Sequence, residues 1–361
     1  MDLRTEPMNM QLFATPGTLV NATTQYVNSD TGSGTAFSGN NTLTPTMKTY
    51  YDTELLENAR SNLVFTQFGR RVALPANRGR TIEFRKWNTL PNASALTEGV
   101  IPTGEKLGMT YKTASLAQYG MYVAMTDLLD LHAIDNVLLG ATEELGASAA
   151  ETMDKLVRNV LMTGTNVMYA DTVDASTGAK TTPTGYNQMT ADNNRLTPDA
   201  VNKAVTWLKK CKAPTFNGKY IAILHPSVSY DLRSSPEWIE AHKYAATTEI
   251  FNGEIGELHG VRFVETTNAK ITEQTIKTGA SSTGEGIVYS TLFLGKDAYG
   301  LIDPEGGSLE MIIKPKSQAG GPLEQYSTAG YKFEAATTIL YQERILRVES
   351  CSAYSTTDEE N

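Results

Sequence analysis

Residues 114–127, ASLAQYGMYVAMTD, belong to a strand that is too long for an ordinary sheet. Counted back to Tyr111 it runs about 16 residues, or roughly 50 Å at ~3.3 Å per residue, where strands usually span about 5–6 residues. Tyr119, Met121, Val123 and Met125 alternate onto one apolar face, whereas the same register further out carries Tyr111, Thr113 and Ser115. The inner half has a core to join and the outer half does not. Upstream, RTIEFRKW sets Ile82 and Phe84 against Glu83 and Arg85, which predicts a second, half-buried strand. The segment between them, 88–109, holds two prolines, three glycines and few bulky apolar residues. Together these predict a hairpin with a large polar tip, marginal in water unless another surface covers it.

The rest of the chain alternates structured and loose segments. Residues 1–47 are rich in Gly, Ser, Thr and Asn and predict an arm that cannot bury enough surface to offset its ordering entropy. Leu55, Leu56, Ala59, Leu63 and Phe68 recur at helical spacing and predict a helix from Thr49 to Arg71. Leu138, Leu145, Leu156 and Val160 mark the core face of a helix of about 28 residues, or roughly 42 Å at 1.5 Å per residue. Asp135 and Gly164 stand at its ends. Residues 171–193 read as a surface loop. Thr197 then caps a helix that opens on Pro198 and ends on Lys209, Lys210 and Lys212. KYIAILHP reads as a buried strand, SPEWIEAHKYAA as a helix, HGVRFVETT as a strand and 272–286 as a second loose segment. The remainder is strand-rich and closes on DEEN, read as a solvated tail.

Composition excludes several function classes. The chain has 361 residues, a formal charge of -9 and 40% hydrophobic residues. That is an ordinary folded protein, expected in two lobes, whose acidic balance argues against a surface built to hold nucleic acid, so that the chain is not expected to grip DNA. Two cysteines, Cys211 and Cys351, build neither a disulfide framework nor a four-cysteine zinc site, and a reducing compartment is the simpler expectation. The first residues lack the pattern of a signal peptide, and no 18 consecutive residues are apolar, so no membrane partner is expected. Sequons at Asn21, Asn40 and Asn92 then carry no weight.

Chemistry-bearing patterns are absent. His132, His225, His242 and His259 show no ligand spacing, so no metal or other cofactor is expected. No G-x-S-x-G occurs. Gly253, Gly256 and Gly260 lack both phosphate-loop spacings and precede a strand, which marks turn glycines. The acid pairs Glu143–Glu144 and Asp127–Asp130 read as solvated helix faces.

Three blocks in order carry a resemblance: SLAQYGMYVAMTDLLDLHAIDNVLLGATEELGASAAETMDKLVRNVL (115–161), YIAILHPSVSYDLRSSPEWI (220–239) and IFNGEIGELHGVRFVETTNA (250–269). Over roughly 48–350 the chain resembles major capsid proteins of tailed bacteriophages of the N-four type, with the Hong Kong 97-type fold. The resemblance implies an α+β chain divided as follows. Residues 1–47 form the N-terminal arm, 48–79 a helical segment of the peripheral domain, 80–126 the extended loop and 127–194 the peripheral domain with its spine helix. Residues 195–285 form the axial domain, and 286–361 the return strands and tail.

The function so implied is a subunit that forms pentamers and hexamers of an icosahedral shell around double-stranded DNA. It is not an enzyme. Expected partners are other copies of the chain and scaffolding and portal proteins, with a decoration protein left open and DNA nearby but not bound sequence-specifically. The shell would assemble in the bacterial host cytoplasm and end in the virion. Some relatives crosslink through Lys and Asn; Lys106 and Lys112 lie in or beside the loop, but nothing identifies partners, and no crosslink is expected. Glu98, Glu105, Lys106 and Lys112 are expected to make a polar, partly solvated contact with a neighbouring subunit. The alternative from the residues alone is a soluble multimeric α/β enzyme or ligand-binding subunit.

Overall fold

The computed structural model describes residues 63–75, 79–93, 95–96, 98–99, 101, 104–132, 137–173, 177–242, 256–277, 283–305, 309–319 and 323–361. The arm expected over 1–47 lies outside them. Strands β1 (Arg70–Leu74), β2 (Thr81–Trp87), β3 (Met109–Ser115) and β4 (Ala117–Thr126) precede helices α1 (Asp127–His132) and α2 (Val137–Met162). Next come β5 (Val167–Tyr169), β6 (Thr172–Val173), β7 (Lys180–Thr181), α3 (Pro198–Lys210), β8 (Tyr220–Leu224), α4 (Pro226–Arg233) and α5 (Pro236–His242). The chain closes with β9 (Gly256–Leu258), β10 (Val261–Glu265), β11 (Ile271–Lys277), β12 (Thr283–Leu294), β13 (Tyr299–Pro304), β14 (Glu310–Lys314), α6 (Lys316–Ala319), β15 (Tyr326–Ile339) and β16 (Ile345–Ser350).

The chain divides into two compact units. One comprises Met1–Asn58, Tyr122–Glu143 and Ile313–Ala329. In its described part the Thr126 hydroxyl accepts from the Leu129 N–H at 3.4 Å as α1 begins, and the Asp127 N–H donates to the Gln325 carbonyl at 2.9 Å. Glu143 is exposed, as is Glu144 just beyond the boundary, in keeping with a solvated helix face.

The other unit, Ala59–Met121, Glu144–Ile312 and Gly330–Asn361, is built on a seven-stranded sheet ordered β5-β16-β12-β8-β10-β9, with β11 also on β12. The five residues of β8, YIAIL, are all buried, because both faces of this strand are covered. Tyr220, Ala222 and Leu224 meet Val201, Val205 and Leu208 of α3. Ile221 and Ile223 point the other way, into a core shared with Val157 and Leu161 of α2. Thr197 caps α3, its hydroxyl accepting from the Ala200 N–H at 3.3 Å. His259 and Gly260, with φ of 53° and 78°, form the two-residue turn between β9 and β10, so Gly260 is a turn glycine.

Several expectations need correction. The long strand is two strands: Leu116 is buried between them, its N–H donating to the Arg80 carbonyl at 2.8 Å. β3 pairs with β2, whereas β4 pairs with β15, so one extended run serves two sheets. On β4, Met125 is buried and Tyr119 and Val123 are half-buried, but Met121 is exposed.

The helix expected from Thr49 to Arg71 is not helical where it is described. Residues 63 and 64 are irregular, 65–69 are turns and bends, and Arg70 opens β1, which pairs parallel to β13. The loose segment at 272–286 is largely the antiparallel pair β11–β12, whose polar residues, such as Glu273 and Gln274, hid its two buried isoleucines, Ile271 and Ile276. In the supposed surface loop at 171–193, Met189 is fully buried and Asp171 is buried.

Only part of the tail is solvated: Glu359 and Glu360 are exposed, whereas Asp358 and Asn361 are docked. The Tyr289 hydroxyl donates to Asp358 Oδ2 at 2.6 Å, the Ser227 hydroxyl to the same oxygen at 3.0 Å, and Arg158 to Asn361 Oδ1 at 2.9 Å.

Candidate assembly site

The hairpin is built from β2 and β3 in antiparallel register, Ile82 opposite Ala114, Phe84 opposite Lys112, Arg85 opposite Tyr111 and Trp87 opposite Met109. Alternation gives it two unlike faces. Ile82 and Phe84 pack with Leu74, Ala114, Leu116 and Ile302. Further along the same face, Lys86 Nζ stands 4.5 Å from the Tyr341 ring centroid and 4.0 Å from Glu343. The inner face therefore rests on the subunit's own unit as far as Lys86.

The opposite face has no such cover. Trp87, Met109 and Tyr111 lie on it together and are 63%, 46% and 66% exposed. Beyond them the Asn88 N–H donates to the Gly108 carbonyl at 2.9 Å and the Thr110 hydroxyl to Asn88 Oδ1 at 3.1 Å, which closes the neck of the tip. In the tip Leu90, Leu96, Ile101 and Leu107 are all exposed, Ile101 at 94%. Such a concentration of large apolar side chains in water is more than an isolated surface ordinarily carries.

The four charged residues expected to make the contact occupy different places. Glu98, Glu105 and Lys106 are exposed in the tip, and Lys112 is exposed on β3 opposite Phe84. Among the described residues none of them forms an ion pair. The signal missed was the sparse apolar set in TLPNASALTEGVIP, which falls on no period and so looked like a polar loop.

On α2, Leu145 is buried as expected, but Leu138, Leu156 and Val160 are only half-buried. The fully covered face runs instead through Ala149, Asp154, Val157, Arg158 and Leu161. Asp154 Oδ1 accepts from the Thr66 N–H at 3.3 Å, and Arg158 donates to the Asn268 carbonyl at 2.9 Å. Burial is the main cause that raises the Asp154 carboxyl above its usual range, against hydrogen bonds from Asn268 and the backbone of residues 64–66.

Elsewhere the titratable groups are structural. His225 caps α4, its Nδ1 accepting from the Ser227 N–H at 3.2 Å, while the Ser227 hydroxyl is taken by Asp358. Burial lowers the His225 pKa, with Asp358 and Glu265 opposing it. Burial pushes the Cys351 thiol up to about 12, which keeps it protonated and unreactive. His259 sits in its turn, and His132 and His242 end α1 and α5. Among the described residues no group of three or more His, Cys, Asp or Glu is arranged to hold a metal, and no helix is long and apolar enough to cross a membrane.

The sequence model of a family described as phage capsid protein matches residues 110–334, well over half of the chain. The chain belongs to the phage capsid protein family. Solved capsids share its fold. The capsid of cyanophage P-SCSP1u is similar at a TM-score of 0.61 and 14% identity, over 85% of this chain and 93% of that one. That of Ralstonia phage GP4 is similar at 0.60 and 14%, over 90% and 100%. That of Helicobacter pylori bacteriophage KHP30 is similar at 0.61 and 10%, over 84% and 95%. No curated protein matches by sequence. This capsid protein has the Hong Kong 97-type α+β fold and is a structural subunit of the phage head, the icosahedral shell of the virion. Its exposed hairpin is therefore part of a subunit that assembles with copies of itself.

Proposed function

We propose that the subunit forms pentamers and hexamers of a tailed phage's shell around double-stranded DNA, and that the hairpin beyond Lys86 lies across a neighbouring copy. The observation that carries this reading is the uncovered face of Trp87, Met109 and Tyr111 on a hairpin whose other face is anchored. A shell has to stay continuous while subunits meet at slightly different angles. A two-stranded extension fixed at its base supplies contact area and room to pivot. The contact is predominantly apolar, with Glu98, Glu105 and Lys106 of the tip at its wet rim and Lys112 left on the anchored side of the hairpin, because exposed ion pairs contribute only about 0–1 kcal/mol each.

In this reading the chain has no catalytic role. Residues 80–126 act as the extended loop, α2 as the spine helix of a peripheral domain and the α3–β10 region as the axial domain. Scaffolding and portal proteins are separate chains, and assembly takes place in the host cytoplasm.

Replacing residues 89–107 with a short Gly-containing turn, which keeps the Asn88–Gly108 neck, tests the proposal. The shortened subunit should retain its circular dichroism and cooperative melt yet form no closed shells by electron microscopy. Normal shells would refute the assignment of the hairpin to a neighbour, and discrete small oligomers of the unaltered protein would refute the shell.

A further inference from the structure

An acidic chain should not present a free cationic surface, yet the unit built on the seven-stranded sheet has one. Three turns are joined through their backbones. The Lys296 N–H donates to the Pro214 carbonyl at 2.9 Å, the Gly295 N–H to the Arg344 carbonyl at 2.8 Å, and the Arg344 guanidinium to the Lys296 carbonyl at 2.9 Å. The first of these turns follows directly from the end of α3, whose Lys212 N–H donates to the Lys209 carbonyl at 2.9 Å. Lys209, Lys210, Lys212, Lys296 and Arg344 are thus carried on adjoining backbone, the four lysines exposed.

Among the described residues none of the five forms an ion pair. Some other lysines of the unit hold carboxylates, as Lys155 holds Glu151, Lys219 Glu257 and Lys332 Glu310, whereas among the described residues Lys106 and Lys112 of the hairpin do not. The acids in the same turns are Asp297 and Glu343, and Glu343 faces Lys86. Arg344 is held in place, its guanidinium 3.7 Å from the Tyr341 ring centroid. The dipole of α3 accounts for cations in its last turn but not for Lys296 or Arg344, which come from other elements.

We infer that this patch binds the phosphate backbone of duplex DNA without reading its sequence. Two features select this occupant over a protein. None of the large exposed apolar residues falls in these turns among the described residues, whereas a protein interface buries an apolar centre and is depleted in lysine. Point-charge ammonium groups on flexible stems match a line of phosphates and specify no base. The inference rests on the proposed shell, since packaged DNA is what would meet such a surface, and it gives that shell a local hold on DNA that the net charge of -9 conceals.

The test is the quadruple variant K209Q/K210Q/K212Q/K296Q in the full chain, with a 30-base-pair mixed-sequence duplex as probe. Binding of the duplex to unassembled subunits is titrated from low to moderate salt, and shells are scored by electron microscopy. The unaltered protein should bind the duplex with a steep salt dependence. The variant should lose about 1 unit of log–log slope per lysine in contact, with at least 10-fold weaker binding at low salt, and still form normal shells. Unchanged affinity and slope in the variant, or no binding by the unaltered protein at low salt, would overturn the inference. Lost shells with retained DNA binding would make the patch a contact between copies and overturn it as well. If the unaltered protein binds DNA but makes no shells, the proposed function fails instead.

Discussion

Asp154 concentrates the chemistry of this fold into one residue. It is fully buried on α2, and its carboxylate takes backbone N–H groups of the segment that leads into β1, Thr66 among them. Asp154→Ala leaves those donors without a partner and should cost about 2–4 kcal/mol in urea unfolding. Its titration gives a second test. Burial raises the carboxyl above the ordinary 3.8, so the folded state holds this proton more tightly than the unfolded chain does. That contribution is complete below the unfolded value and is lost as pH rises through the higher folded value. The unaltered protein should therefore lose stability relative to Asp154→Asn, which cannot titrate, as pH rises above the ordinary carboxyl value of 3.8. Parallel stability curves would show that the carboxyl is not perturbed. Nothing in the sequence marked this residue, because an Asp in TMDKLVRN has the spacing of a solvated helix face, and its partners come from far along the chain, Thr66 upstream and Asn268 downstream.

At the scale of elements, local signals were legible where one element decides its own neighbours. YIAIL could only be a strand covered on both faces, and Thr197-Pro198 could only open a helix. Faces were less legible than elements. On α2 the spacing singled out Leu156 and Val160, but the sheet beneath selects Val157 and Leu161, one position later on the helix. Leu161→Ala should therefore cost about 3 kcal/mol and Leu156→Ala less than half of that, measured by chemical unfolding. Equal losses would restore the face read from the sequence. The break of the long strand was invisible for a similar reason: Leu116 continues the extended run, and only its bonds to Arg80 show that the chain changes sheets. Gly120 then lets β4 approach β15 closely, since a methyl group there would stand 2.6 Å from the Tyr331 carbonyl oxygen. Gly120→Ala should destabilise by about 1–3 kcal/mol. No loss of stability would mean that the two strands separate at little cost.

At the scale of the whole molecule, the question is what holds one copy to the next. The resemblance placed the contact in the hairpin, and the charged residues of a polar tip were its visible candidates. The structure offers a different set: Trp87, Met109 and Tyr111 on one uncovered face, with Ile101 in the tip. The two sets respond to salt in opposite ways. A contact held by Glu98, Glu105, Lys106 and Lys112 weakens as added salt screens it, since the Debye length shrinks from about 10 Å at 0.1 M to about 3 Å at 1 M. A contact held by apolar burial persists, and sulfate strengthens it. Each large side chain fully removed from water contributes about 1.5–3 kcal/mol, and repetition around a closed shell multiplies the effect on assembly. The double variant Trp87→Ala, Tyr111→Ala should therefore raise the protein concentration needed for shells at least 10-fold while leaving the melt of the subunit unchanged, since neither side chain is buried within it. The variant E98Q/E105Q/K106Q/K112Q should shift that concentration by less than 3-fold, and shells of the unaltered protein should form as readily in ~1 M sulfate as in ~0.1 M salt. Light scattering over a concentration series measures each shift. If the charge variant abolishes assembly while the apolar variant assembles normally, the contact belongs to the ionic residues after all, and the uncovered tryptophan needs another explanation.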